Sequence, residues 1–150
     1  MAVRDLIVIP STFLTTDVIV RRPPLRPEAR RAGWVGCNIR IADIPDAGRI
    51  PVVRDGIALP RANVVRGMRL ASTLPGDLAS RTWLVDTLRC IERLGPEFAL
   101  PDLYAHEAEF RRRHPGNNHI RPKLRQQLQR LRDSGVLTFL GKGRYRLAFA

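Results

Sequence analysis

The chain has 150 residues, 44% of them apolar, and a formal net charge of +12. That length holds one ordinary domain or two small ones with a packed core. No apolar run approaches the ~18 residues of a membrane span, the start MAVRDLIVIP lacks the basic and longer apolar regions of a secretory leader, and Cys37 and Cys90 fit neither a disulfide framework nor a zinc ligand set, so the expectation is a cytoplasmic protein with no membrane association and two inert thiols.

Arg4–Pro10 is a β-branched run ended by proline and predicts a strand. Phe13–Val20 is a second candidate. The stretch RRPPLRPEARRAG follows, and its prolines exclude a regular helix or central strand through Pro23–Pro27; it reads as an extended basic loop with five arginines. Trp34–Ile41 predicts a buried strand. Ile50–Val53 with Asp55-Gly56 predicts another strand and a tight turn. A short helix is expected near Val64–Leu70, then a linker, STLPGDLAS.

A second unit is predicted from Arg81. Leu84, Leu88 and Ile91 recur at helical spacing until Gly95-Pro96. Phe98–Leu100 is a short extended piece, and Asp102 fits the N-cap of a helix carrying Leu103, His106 and Phe110 through Arg113. Pro115-Gly116-Asn117 turns the chain. A third helix over Asn118–Ser134 has the apolar stripe Ile120, Leu124, Leu128 and Leu131, with Pro122 in its first turn, where no intrahelical bond is lost. Val136–Leu140 and Arg144–Phe149 then predict a hairpin around Gly141-Lys142-Gly143. This order is that of a winged helix-turn-helix.

Beyond residue 110 there are eleven Arg and Lys against one acid, Asp133. Most of the net charge therefore sits on the predicted DNA-binding elements, where a polyanion would release counterions. In this arrangement the second helix of the turn pair enters the major groove, its first residues meeting base edges and its N–H groups pointing at phosphate. With the aliphatic stripe inward, Arg121, Lys123, Arg125, Gln126, Gln129 and Arg132 face outward, and Asn117, Asn118 and His119 stand at the helix entrance. Asn and Gln match adenine; Arg and Lys match guanine. Lys142 and Arg144 ride the hairpin tip, within reach of phosphate or the minor groove. Arg111–Arg113 favour the negative pole of the preceding helix. The partner this implies is double-stranded DNA. Plainer roles stand beside these: Asn118 as an N-cap, Gln126 and Gln127 as ordinary helix-surface residues, and the basic face as a solvated or protein-docking surface.

Catalytic patterns are absent from the sequence. His106, His114 and His119 lack metal-ligand spacing with a glutamate base. Gly141-Lys142-Gly143 lacks the rest of a phosphate loop, and Ser72, Ser80 and Ser134 lack a nucleophile context.

The stretch NNHIRPKLRQQLQRLRDSGVLTFLGKGRYRL resembles the C-terminal winged-helix domain of the DpnI-like, or Dam-replacing, restriction endonucleases. PLRPEARRAGWVGCNIRIADIPDAGRIPVVRDG resembles the second half of their catalytic domain. The resemblance runs from about Leu6 to Leu147. It implies a Mg²⁺-dependent type II enzyme that cleaves GATC when its adenine is methylated, with both domains on DNA, and it aligns Trp34 with the family's aromatic near the methylated adenine. As a residue, Trp34 reads equally as a core tryptophan beside a strand. The family's PD-(D/E)xK metal motif and its Cys-x-x-Cys zinc ligands have no counterpart here: Lys123 follows Arg121-Pro122, and Lys142 follows Leu140-Gly141. No catalytic residue and no cofactor are assigned to this chain, Mg²⁺ and a structural zinc being implied for the family's first half.

The expectation is an α+β chain: residues 1–78 as the remainder of a PD-(D/E)xK-type nuclease domain truncated before its metal motif, residues 81–150 as a winged-helix DNA-binding domain. The expected function is duplex binding without cleavage by the chain alone. Alternatives are a split endonuclease completed by a separately encoded nuclease half and a winged-helix transcriptional regulator. Residues 1–75, with few helices to cover their strands, are expected to be the less stable part or to associate with another chain.

Overall fold

A computed structural model describes residues 2–74 and 77–148. Its first half contains β1 (Leu6–Val8), β2 (Ile19–Arg21), β3 (Cys37–Ile39), β4 (Ile50–Arg54), β5 (Ile57–Ala58) and helix α1 (Arg61–Ser72). The second contains α2 (Leu78–Leu94), β6 (Glu97–Ala99), α3 (Leu100–Tyr104), α4 (Glu107–Arg113), α5 (Ile120–Asp133), β7 (Leu137–Gly141) and β8 (Arg144–Leu147). The architecture is α+β, with small antiparallel sheets and five helices among the described residues.

In the first half, β1, β4 and β5 form one sheet in the order β1-β4-β5. Asp55 and Gly56 both adopt positive φ, at 50° and 79°, as the tight turn between β4 and β5 requires. Helix α1 lies close on β4: a Cβ at Gly67 would stand 2.8 Å from the Ile50 side chain. The helix is longer than the Val64–Leu70 expected, because Pro60 can start it without an N–H. Strands β2 and β3 form a separate ribbon with Ile19 opposite Ile39 and Arg21 opposite Cys37. All six of its residues are exposed, which corrects the buried strand expected over Trp34–Ile41. A two-stranded ribbon has no second layer to cover it, so β-branched residues there need not be core.

In the second half, α2 starts at Leu78, three residues before the expected Arg81, because Asp77 caps it by accepting from Ser80 N at 2.8 Å. The helix expected from Asp102 to Arg113 is two helices, α3 and α4, interrupted at Ala105-His106. Asp102 stands inside the first turn rather than at the cap, and its carboxylate accepts from Ala99 N at 2.8 Å. Strands β6, β8 and β7 form the wing sheet. Phe149, the expected end of the last strand, lies outside the described residues.

One hydrophobic core runs through both halves. Phe13, Val18 and Ile44 from the first join Trp83, Leu84, Leu88 and Ile91 of α2 and the α5 stripe. Around this core, α2 also supplies polar ties. Glu92 accepts from Asp46 N at 2.9 Å and Ala47 N at 3.2 Å, and Arg89 donates to the Asp43 carbonyl and to Asp17. Part of the first half thus packs on α2, through Phe13, Val18 and Ile44, while α1 lies on its three-stranded sheet and the β2–β3 ribbon stays exposed.

Candidate nucleic-acid interface

Helix α5 seats itself by Ile120, Leu124, Leu128 and Leu131, each no more than 1% exposed. Its end is set by Gly135, at φ 78°, where Val136 N donates to Leu131 O and Gly135 N to Arg132 O, both at 2.9 Å. That pairing closes the last turn, and Val136 and Leu131 are both buried beside it. At the entrance, Asn117 Oδ1 accepts from His119 N at 2.7 Å, and His119, not Asn118, occupies the cap position, without a side-chain cap. The capping role open to Asn118 is therefore not taken, and its side chain is exposed.

The outer face carries Arg121, Arg125, Gln126, Gln129 and Arg132 exposed, with Lys123 half-buried. Gln127 departs from its expected surface place: it is fully buried, and neither amide atom has a hydrogen-bond partner in the protein among the described residues. Position 127 falls three residues after Leu124 and four before Leu131, which is the inward face of the helix. The wing tip has Lys142 at φ 48° and Gly143 at φ 72°. Lys142 and Arg144 are exposed there, and Leu100 N donates to Gly143 O at 2.8 Å, anchoring the tip to the start of α3. Beneath it, Tyr145 stacks on Phe98 with ring centroids 5.5 Å apart.

The fold also brings acids to the basic face from residues 81–110. Glu107 Oε2 accepts from Arg121 Nε at 2.7 Å, and its Oε1 from Arg111 Nη2 at 3.0 Å. The Arg121 guanidinium lies 5.0 Å above the Tyr104 ring centroid, and Arg125 Nη1 donates to the Tyr104 hydroxyl at 3.4 Å. Glu97 takes both Arg144, at 3.2 Å, and Arg146, at 2.7 Å. The hydrogen bond from Arg121 holds the Glu107 carboxyl below the usual carboxylate range, and that from Arg146 does so for Glu97. Among the described residues, Arg112, Lys123, Arg125, Arg130 and Lys142 make no ion pair, so the patch is partly neutralised from within the molecule. Sequence patterning does not mark Tyr104 or Glu107 as site residues. Glu107 had one local signal, its i,i+4 spacing to Arg111; Tyr104 had none.

Under the turn, His114 stacks on Trp83 at 3.8 Å between ring centroids, and its Nε2 lies 2.9 Å from Asp86 Oδ2. Asp86 is buried and also accepts from Arg113 at 2.8 Å and Arg89 at 3.1 Å. Arg89 and Arg113 both reach Asp17 as well.

A second basic surface lies away from α5. The end of β2 and the segment between β2 and β3 expose Arg21, Arg22, Arg26, Arg30 and Arg31, and backbone bonds from Leu25 N to Trp34 O at 2.9 Å and Gly33 N to Leu25 O at 3.1 Å give the segment shape. Trp34 is 55% exposed, so it is not the core residue that one reading of the sequence allowed. Its ring lies against Gly36, where an added Cβ would stand 2.8 Å from Trp34 Cζ3.

A short helix pair, a basic second helix with an open N-terminus and a hairpin with a cationic tip define a winged helix-turn-helix domain of the DNA-binding class. Comparison with known families matches residues 79–147 to the Dam-replacing HTH domain and residues 1–75 to the Dam-replacing family. The chain belongs to this DpnI-like, Dam-replacing family, and its helix-turn-helix domain has a DNA-binding role. No helix among the described residues is long and apolar enough to cross a membrane.

The donor sets for the magnesium and zinc that the resemblance implies do not form among the described residues. Cys37 is exposed and Cys90 buried, and no three His, Cys, Asp or Glu side chains gather as metal ligands. Asp17, Asp86 and His114 share a network, but the guanidinium groups of Arg89 and Arg113 fill it.

Proposed function

We propose that this protein binds duplex DNA with α5 in the major groove and the β7–β8 wing on the flanking backbone, preferring GATC whose adenine is methylated. The observation that carries this reading is α5 itself: four buried aliphatic residues on one side and an exposed row of Arg and Gln on the other, with Lys123 half-buried beside it. Asn117, Asn118 and His119 stand at the end of the helix where base edges are met. Lys142 and Arg144 extend the contact at the wing. Trp34 supplies the methylation preference: a half-exposed indole face offers an apolar surface to N6-methyl groups, which an unmethylated adenine lacks. The arginines around it neutralise nearby phosphate.

Strand hydrolysis is not assigned to these residues. Neither Lys123 nor Lys142 has an acid two residues before it. A second reading, in which a separately encoded nuclease half completes the site, draws support from the first half's sheet, where Leu6, Ile7 and Ile57 remain exposed on edge strands.

The test is a binding titration against GATC duplexes with and without adenine methylation, at several salt concentrations. The reading expects a clear preference for the methylated duplex that Trp34→Ala removes, and affinity that falls steeply with salt. Equal affinity for both duplexes overturns the methylation preference; affinity indifferent to salt overturns the binding mode. Incubating methylated plasmid with Mg²⁺ separates the second reading: cleavage by this chain alone contradicts both, and cleavage only with a partner chain supports completion.

A further inference from the structure

We propose that Arg121 reads a guanine edge in the major groove, and that Glu107 and Tyr104 are the positioning residues that aim it. The inference rests on the reading of α5 as the major-groove helix and adds which side chain discriminates bases there and how.

Arg121 is the second residue of α5, in the part of a recognition helix that meets bases. Its contacts restrain it without using it up. Glu107 accepts from Nε, at 2.7 Å, while none of the described hydrogen bonds uses Nη1 or Nη2. Those two nitrogens are the pair that meets guanine O6 and N7 bidentately. The Tyr104 ring lies under the guanidinium at 5.0 Å and limits the tilt of its plane. Glu107 is itself held by Arg111, on its own helix, through the other oxygen. The side chain remains 58% exposed, so the outward edge is open to a ligand.

The other basic residues of the face lack this arrangement. Arg125 has one contact, to the Tyr104 hydroxyl at 3.4 Å. Arg132 pairs with its neighbour Asp133 near the far end of the helix. Arg144 meets Glu97 through a terminal nitrogen, Nη2. A carboxylate beside a DNA-binding surface repels phosphate, so Glu107 costs general affinity. Holding Arg121 before the encounter reduces the conformational freedom lost on binding. The gain is therefore in selectivity between bases.

The experiment selects duplexes from a random-sequence pool with the full chain and with Arg121→Ala, Glu107→Gln, Tyr104→Leu and Tyr104→Phe. Affinities are then measured for the selected duplex and for the same duplex with one guanine changed. The expected results are a guanine preference of about tenfold or more in the unaltered chain, its loss in Arg121→Ala, and a weakening of about three- to tenfold in Glu107→Gln and Tyr104→Leu. Tyr104→Phe keeps the ring and so keeps the preference. Binding of unselected duplex by Glu107→Gln is unchanged or tighter, and its unfolding temperature shows whether the loss is structural. Uniform weakening across all sequences by Arg121→Ala makes it a phosphate contact and overturns the proposal alone. Tighter binding by Glu107→Gln with the guanine preference intact makes Glu107 a mask and removes its positioning role. If the unaltered chain retains no duplex at all, the DNA reading of α5 falls, and this inference with it.

Discussion

Lys142 and Gln127 sit at opposite extremes of exposure, and each has a distinct consequence. Lys142 is exposed at the wing tip and makes no ion pair among the described residues. Its removal should weaken binding about equally for all duplexes and lower the salt slope of log K by about 1, measured by titration over a range of salt. Arg144 and Arg146 already share Glu97, so their replacement should change the slope less. Gln127 is buried, and its amide atoms have no hydrogen-bond partner in the protein among the described residues; a buried polar group without such a bond costs on the order of 1–3 kcal/mol. Gln127→Leu, similar in size, should therefore raise the unfolding temperature by a few degrees without changing DNA affinity, as read by thermal melting and titration.

Helix α5 depends on its ends as well as its stripe. Gly135 stands at φ 78°, a left-handed conformation that side chains resist. Gly135→Ala should destabilise the protein by about 1 kcal/mol, measured by denaturant unfolding, and should loosen the approach of β7 to α5. The same element carries the charge to the groove, so the variant should bind DNA more weakly in proportion to its loss of order. The wing depends on a similar turn, Lys142-Gly143, whose two positive φ values let a cation stand at the tip.

Across the molecule, the network Asp17–Arg89–Asp86–Arg113–His114, buried at Asp86 and partly exposed at Asp17 and Arg113, joins the first half to the helix-turn-helix. Asp86 is 4% exposed at its side chain and answers three cationic or imidazole partners, so Asp86→Ala should cost about 3–5 kcal/mol. Burial pushes the Asp17 carboxyl up, but hydrogen bonds from Thr15 and Arg89 outweigh it, and its affinity for a proton is lowered on folding. The sign follows: the folded chain binds fewer protons at Asp17, so this contribution is present above about pH 4, the ordinary value, and is lost as pH falls below it. Urea unfolding at several pH values should find Asp17→Asn less stable than the unaltered chain near neutrality, with the gap closing in acid. Because Phe13, Val18 and Ile44 share one core with α2, hydrogen exchange should report one cooperative unit rather than an independently melting first half. Early exchange of Phe13 and Val18 amides relative to those of Leu84 and Leu88 would contradict this.

The winged-helix order, the inward stripe of α5, the Asp55-Gly56 and Lys142-Gly143 turns and the basic character of the outer face are all legible along the chain. Each depends on residues close along the chain, where helical periodicity and turn chemistry act locally. Packing between elements exposes Trp34, buries Gln127, brings Glu107 and Glu97 to the basic face, and ties Asp17 of the first half to Arg89 and Arg113 of the second. Those outcomes depend on which surfaces meet. The arginines of α5 and the wing reach acids fourteen and forty-seven or more residues away, and a period read along one helix carries no information about the partner across from it.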